Sequence, residues 1–285
     1  MSKRRDGVYV KNLDALHSLM PHIKPSRADS DVYMNIKIPC DNLVKYFNKL
    51  KKEEKYANLT YFHLFCTAIG KMIYNRPLLN RFIINKKYYD RKKVNVSFVA
   101  KRELNDHSEE SFTVVDIEKT DNIFTIADKI TNNVKTLREN KEHSVDKLMN
   151  FIGKSPKWLK SLLVGIVKFA DNHDLLPDSL TKDLLYYSTV IVSNLGSIGS
   201  DAAIYHNITN FGTNSMMLMI GKVKEDLVIV NGKAIVQYIC EFGINLDERI
   251  ADGFYMIKSL KLFEYILNNP HLLEDDASEP VTMQE

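Results

Sequence analysis

The chain has 285 residues, 45% of them apolar and 26% charged, a globular composition that is neither disordered nor fibrous and suffices to bury a large core in one domain or two lobes. Its 39 basic and 36 acidic residues leave a formal charge of +3, too balanced for the one-sided positive field that non-specific nucleic-acid binding needs. Three widely spaced cysteines, Cys40, Cys66 and Cys240, form no C-x-x-C pair, which argues against a disulfide framework or a zinc site and for a reducing, cytoplasmic setting.

Residues 1–30 begin with a basic cluster that no apolar stretch follows, so a secretory signal is not expected. From Asp31 to Ile38 the chain alternates, with Val32, Met34, Ile36 and Ile38 on one face of a half-buried strand. Asp41 is placed to cap a helix carrying Leu43, Tyr46, Phe47 and Leu50. Leu59 to Asn75 repeats Leu59, Phe62, Cys66, Ile69 and Ile73 at helical spacing, and Pro77 ends it. Short strands follow at 82–84, 88–89, 94–98 and 111–117, joined too closely to hold helices, which predicts a meander.

Residues 122–183 read as mainly helical, broken near Gly153 to Pro156 and at Pro177. Their most apolar window, Trp158 to Ala170, includes Lys160 and Lys168 and is too short to cross a bilayer; no membrane span is expected. Strands are predicted from Ser188 to Ser193 and from Met216 to Ile220, where Met216, Met217 and Met219 suit a core or an acyl channel. Asn231-Gly232 marks a two-residue hairpin turn. Its second arm is long, with Val236, Tyr238, Cys240, Phe242, Ile244 and Leu246 on one face, and delivers a turn at Asp247 to Gly253. A helix from Gly253 to Leu267 then buries Ile257, Leu260, Phe263 and Ile266. The acidic residues 271–285 read as a mobile tail.

Leu246-Asp247-Glu248-Arg249-Ile250-Ala251-Asp252-Gly253 resembles the catalytic turn H-x-x-x-D-G of the dihydrolipoamide acyltransferases of 2-oxo acid dehydrogenase complexes and of chloramphenicol acetyltransferase. Asp252 and Gly253 match, and Glu248 stands where the histidine belongs. Asn75-Arg76-Pro77-Leu78-Leu79-Asn80, Ser193-Asn194-Leu195-Gly196 and Ile220-Gly221 resemble further family segments in the family's order. The resemblance implies an α/β fold, an α+β two-layer sandwich with a mixed, mainly antiparallel sheet and helices packed on it, spanning residues 31–270 as one acyltransferase-like domain. It also implies a homotrimer with active sites between subunits, acyl-CoA as donor co-substrate, a small thiol, hydroxyl or amine acceptor, and no covalently bound cofactor or metal. The family's lipoyl and subunit-binding modules find no counterpart before residue 31, so a stand-alone domain is expected.

Acyl transfer needs a base for the acceptor's proton and a donor for the tetrahedral oxyanion. Ser193 holds the donor position by resemblance; otherwise it is a strand-end serine satisfying backbone. Glu248 is the base by resemblance; otherwise it is a solvated or ion-paired turn residue. A carboxylate near pKa about 4.3 is a weaker base than an imidazole near about 6.5, a handicap of roughly a hundredfold that burial can offset. His206, between the two family strands, is an alternative base or an ordinary surface histidine. Asp252 is expected to hold the turn, with Arg27 or Arg249 as partner, and Gly253 to let the chain turn sharply. Lys86, Lys87, Arg91, Lys92 and Lys93 are either a binding cluster for CoA phosphates or polar faces of a hairpin.

Overall fold

Residues 4–101, 110–139, 152–201 and 204–283 are described by a computed structural model. Two sheets form among them. The small one has the order β1 (Gly7–Tyr9), β4 (Lys87–Arg91), β3 (Arg81–Ile84), all antiparallel. The large one runs β2 (Asp31–Pro39), β10 (Lys233–Asp247), β8 (Met216–Ile220), β7 (Val190–Asn194), β5 (Val94–Lys101), β6 (Glu110–Ile117), with β9 (Lys224–Val230) on the outer half of β10. Only β5–β7 and β7–β8 are parallel, so the sheet is mixed and mainly antiparallel, as expected. The predicted meander is instead two hairpins in separate sheets: β4 pairs with β1 and β3, while β5 pairs with β6 and β7. The short connections were legible, but partner choice depends on what lies on the other side of each strand.

Besides α1 (Ala15–Ile23), the longer helices among the described residues are α2 (Asp41–Leu50), α3 (Tyr61–Asn75), α4 (Ile123–Glu139), α5 (Lys157–Asn172) and α6 (Gly253–Asn268), and a single helical turn lies at Asp178–Thr181. The period-2 alternation of the strands sorts the sheet's two faces. Val190, Val192, Met216, Leu218, Phe242, Ile244 and Leu246 join the main core with α3 and α6. The neighbouring positions Ile191, Met217 and Met219 form a second cluster with Leu185 and Ile208 on the opposite face. All three cysteines are buried and unpaired.

Helix α3 begins at Tyr61, capped by the reciprocal bonds of Thr60 and His63. Asp41 is the first residue of α2, after Cys40, and its carboxylate accepts the Tyr238 N–H at 3.1 Å rather than capping its helix. The hairpin turn of β9 and β10 has φ of 52° at Asn231 and 76° at Gly232, the pair of positive values that favours Asn-Gly. Two apolar expectations fail in physical ways. Val236 is exposed because β10 has outrun the sheet there and meets only β9, and Ile257 is 50% exposed on the outer face of α6. The acidic tail is packed, not free: Leu273 and Ala277 are buried, Ala277 N–H bonds Asp121 O at 2.6 Å and Val281 N–H bonds Asn75 Oδ1 at 2.8 Å. Residues 140–151, part of the stretch read as helical, lie outside the described residues.

Candidate active site

Strand β7 ends at Ser193-Asn194, and the chain turns at once into a 3-10 turn, Leu195–Ile198. The turn is possible because Gly196 lies directly on the end of β8: a Cβ there would meet Gly221 O at 2.6 Å and Lys222 Cα at 2.8 Å. Gly221 is confined in turn by Asp201 O, which a Cβ would meet at 2.7 Å. Gly196 therefore fixes how closely the end of β7 approaches that of β8, and Gly221 how closely the chain at Asp201 does. Ser193, level with Met219 in the register, shares the sheet face of Ile191.

That face opens into a cavity of about 990 Å³. Phe62 of α3, Phe98 of β5, Phe112 of β6, Tyr186, Ile191 and Met217 supply its apolar wall, and Ser193, Asn194 and His206 are among its polar groups. The structure thus brings Ser193 and His206 to one cavity. His206 is exposed, with its Nδ1 3.2 Å from Asn207 O. Its loop is held by residues that sequence reasoning missed: Asp31 accepts from Ile208 N–H at 3.1 Å and from the Asn245 amide at 3.1 Å, and Tyr205 packs edge-on against Tyr33. The signal was present in β10, where Asn245 and Asp247 alternate with Ile244 and Leu246. Polar residues on the second face of an interior strand need partners.

Glu248 does not line this cavity. It sits half-buried in the turn after β10, with its carboxylate paired to Lys24 and its N–H bonded to Ser30 O at 2.9 Å. The turn is fastened by a buried pair: Arg249 donates from Nε to Asp247 Oδ1 at 2.8 Å and from Nη2 to Oδ2 at 2.6 Å, and from Nη1 to Lys24 O at 2.7 Å. Tyr88 OH donates to Arg249 O at 3.2 Å.

Neither arginine expected beside Asp252 is there. Arg249 serves Asp247, and Arg27 points its guanidinium at the carbonyls of Thr209, Phe211, Gly212 and Ile83. Burial pushes Arg27 down to about 10, against the favourable charge of Asp247. Asp252 caps α6 instead, accepting the Tyr255 N–H at 2.7 Å. Gly253 starts that helix, its φ is not positive, and a Cβ there would meet nothing within 4 Å; the bend comes from the cap, not from glycine. The basic cluster divides: Arg91, Lys92 and Lys93 line one hollow with Arg4 and Arg5, apart from Lys86 in the β3–β4 turn. Arg91 is buried, donates to Tyr187 O and Thr213, and is lowered by that burial to about 10. Lys93 pairs with Asp116, and Lys92 bonds Arg4 O at 3.3 Å.

Among the described residues no group of His, Cys, Asp and Glu is arranged to hold a metal, and no helix is long and apolar enough to cross a membrane. Residues 163–274, which include Ser193, Glu248 and Asp252, match the family model of the 2-oxoacid dehydrogenases acyltransferase (catalytic domain). The lipoamide acyltransferase component of the branched-chain alpha-keto acid dehydrogenase complex of Bacillus subtilis is 24% identical over 239 residues, 82% of this chain but 46% of that protein's own length. Among solved structures, a probable dihydrolipoamide acetyltransferase from Listeria monocytogenes superposes with a TM-score of 0.59 at 19% identity, over 92% of this chain and 95% of that one. A chloramphenicol acetyltransferase gives 0.55 at 11%, over 92% and 98%. Over residues 163–274 the chain is similar in sequence to the catalytic domains of 2-oxoacid dehydrogenase acyltransferases, and over nearly its whole length it has the fold shared by such domains and chloramphenicol acetyltransferase.

Proposed function

We propose that the protein is a CoA-dependent acyltransferase of the cytoplasm, moving an acyl group from a thioester to a small thiol, hydroxyl or amine at sites formed between the subunits of a homotrimer. The observation that carries this reading is Ser193 at the edge of a large apolar cavity, on the motif whose Gly196 is locked against Gly221. A hydroxyl on a rigid strand end is suited to hold an oxyanion, and the apolar walls suit an acyl chain. The base is Glu248, which in one chain stands away from the Ser193 cavity and reaches chemistry at a neighbouring copy's cavity. Its Oε1 is engaged by Lys24, so a proton is taken either by Oε2 or after that pair opens. That pairing favours the second reading, a trimeric relative that binds an acyl-CoA or similar ligand without turning it over.

Transfer from acetyl-CoA and longer acyl-CoAs to simple thiols and amines, followed by release of free CoA thiol, tests the two readings. Glu248→Gln, which keeps shape and removes the proton acceptor, is expected to abolish transfer. Ser193→Ala is expected to lower the rate by roughly 10² to 10³. If the parent chain shows no more than a trace of transfer and both variants leave it unchanged, the binding reading stands. If His206→Ala alone stops the reaction while Glu248→Gln does not, His206 is the base.

A further inference from the structure

Helix α5 is anchored at its C-terminal end and little elsewhere. Asp171 is buried, with Arg4 donating to its carbonyl at 2.8 Å and lying 3.8 Å from its carboxylate, while Asp174 pairs with Arg5 at 3.1 Å. The rest of the helix stands largely in the open. Trp158, Leu162, Ile166 and Phe169 recur at i, i+4, i+8 and i+11, so they make one stripe, and they are 70%, 53%, 55% and 60% exposed. Leu175, just beyond the helix, is equally open. None of the five lines the Ser193 cavity.

The charge beside the stripe is one-sided. Lys157 to Ala170 contains Lys157, Lys160 and Lys168 and no acidic residue, and the two aspartates that follow are already matched by Arg4 and Arg5. Lys157 and Lys168 project on the face next to the stripe, and Lys86 borders the same hollow as Lys168. At 16 residues the helix is too short to span a bilayer. An aromatic and aliphatic face flanked by lysines is the pattern that lies in the plane of a membrane interface.

We infer that α5 docks the protein onto an anionic lipid surface, with Trp158, Leu162, Ile166 and Phe169 entering the headgroup boundary and Lys157, Lys168 and Lys86 meeting lipid phosphates. A second copy of the chain fits the stripe less well. A two-fold pairing of α5 would set its lysines against their own copies with no acidic residue between Lys157 and Ala170 to offset them, whereas in the closed ring of a trimer the stripe would meet a different face of its neighbour, the outcome that the dilution measurement below separates from lipid docking. The docking is independent of whether the Ser193 cavity turns over acyl groups.

Trp158 is the one tryptophan of the chain, so its emission reports this helix alone. With the full chain and phosphatidylcholine vesicles carrying a substantial fraction of phosphatidylglycerol, the emission is expected to shift to the blue and the protein to float with the vesicles. Neutral phosphatidylcholine vesicles are expected to bind far less, and added salt to release the protein. Lys157→Gln and Lys168→Gln each weaken partitioning about fivefold, and Phe169→Glu weakens it by about tenfold or more. These side chains are exposed, so an unchanged melting temperature shows that the variants are folded. Two results overturn the inference. One is an emission maximum that ignores anionic vesicles at millimolar lipid. The other is emission already blue-shifted without lipid and red-shifting on dilution, which assigns the stripe to a second copy.

Discussion

Gly196 and Gly221 show what a short motif encodes. Ser-Asn-Leu-Gly and Ile-Gly stand far apart in the sequence, yet their glycines let two strand ends approach until a single added methyl group would strike backbone at 2.6 Å. Neither has a positive φ, so the requirement is close approach rather than turn conformation. Gly196→Ala must therefore separate the ends of β7 and β8 and shift Ser193 with them. A loss of about 1–3 kcal/mol is expected, the range for overpacking a tight site, read as a lowered denaturation midpoint with unchanged slope. Gly253→Ala is the control, since its Cβ would enter open space. The sequence pointed to both Gly196 and Gly253 for one reason, membership in a motif, and only the packing separates the one that needs glycine from the one that does not. Asp31, Asn245 and Lys24 went unnoticed for the opposite reason: they belong to no motif and act only through partners distant in sequence.

At the scale of elements, the turn from Asp247 to Gly253 is held by two devices of different strength. The Asp247–Arg249 pair is almost wholly buried, 0% and 2% exposed at the side chains, with two parallel hydrogen bonds. Removing one partner leaves the other charge buried alone, so Arg249→Met is expected to cost about 3–5 kcal/mol. Asp252 contributes through the cap of α6, and Asp252→Ala is expected to cost about 1 kcal/mol. Urea titration of both variants decides the assignment. Equal losses, or a larger one at Asp252, would return the turn-holding role to Asp252 as the resemblance implied. The resemblance located the turn correctly, but it could not say which of three neighbouring charged residues, Asp247, Arg249 and Asp252, find each other. Two residues' separation along a bending chain lets a guanidinium fold back on Asp247, whereas Asp252 has already been engaged by the first turn of α6.

For the molecule as a whole, strand and helix periodicity marked most elements from Asp31 onward, because each strand of the large sheet has at least one apolar face and each core helix one apolar stripe, but it missed β1 and α1, which lie before that sheet. Pairing and exposure were less legible: alternation puts Val236 on the face of Cys240 and Phe242, yet Val236 stands open beyond the sheet, as do Leu227 and Ile229 of β9. Such a projecting apolar arm suits contact with another copy. Glu248 follows the end of the long β10, while Ser193 faces a cavity whose lining residues do not include it. If the working site joins Ser193 of one subunit to Glu248 of the next, two inactive variants should restore each other. Ser193→Ala and Glu248→Gln, co-expressed in equal amounts, assemble at random. An interface is then intact only when a subunit that keeps Ser193 meets, in the right order, a neighbour that keeps Glu248. Each of these two conditions has a chance of one half, so about a quarter of parental activity is expected from a closed ring. Each variant alone should stay at its own low rate, and light scattering should give the mass of a trimer for both. Activity no higher than the sum of the separate variants, in a confirmed mixed trimer, would mean that Ser193 and Glu248 do not cooperate across subunits, and the shared-site mechanism would fall with it.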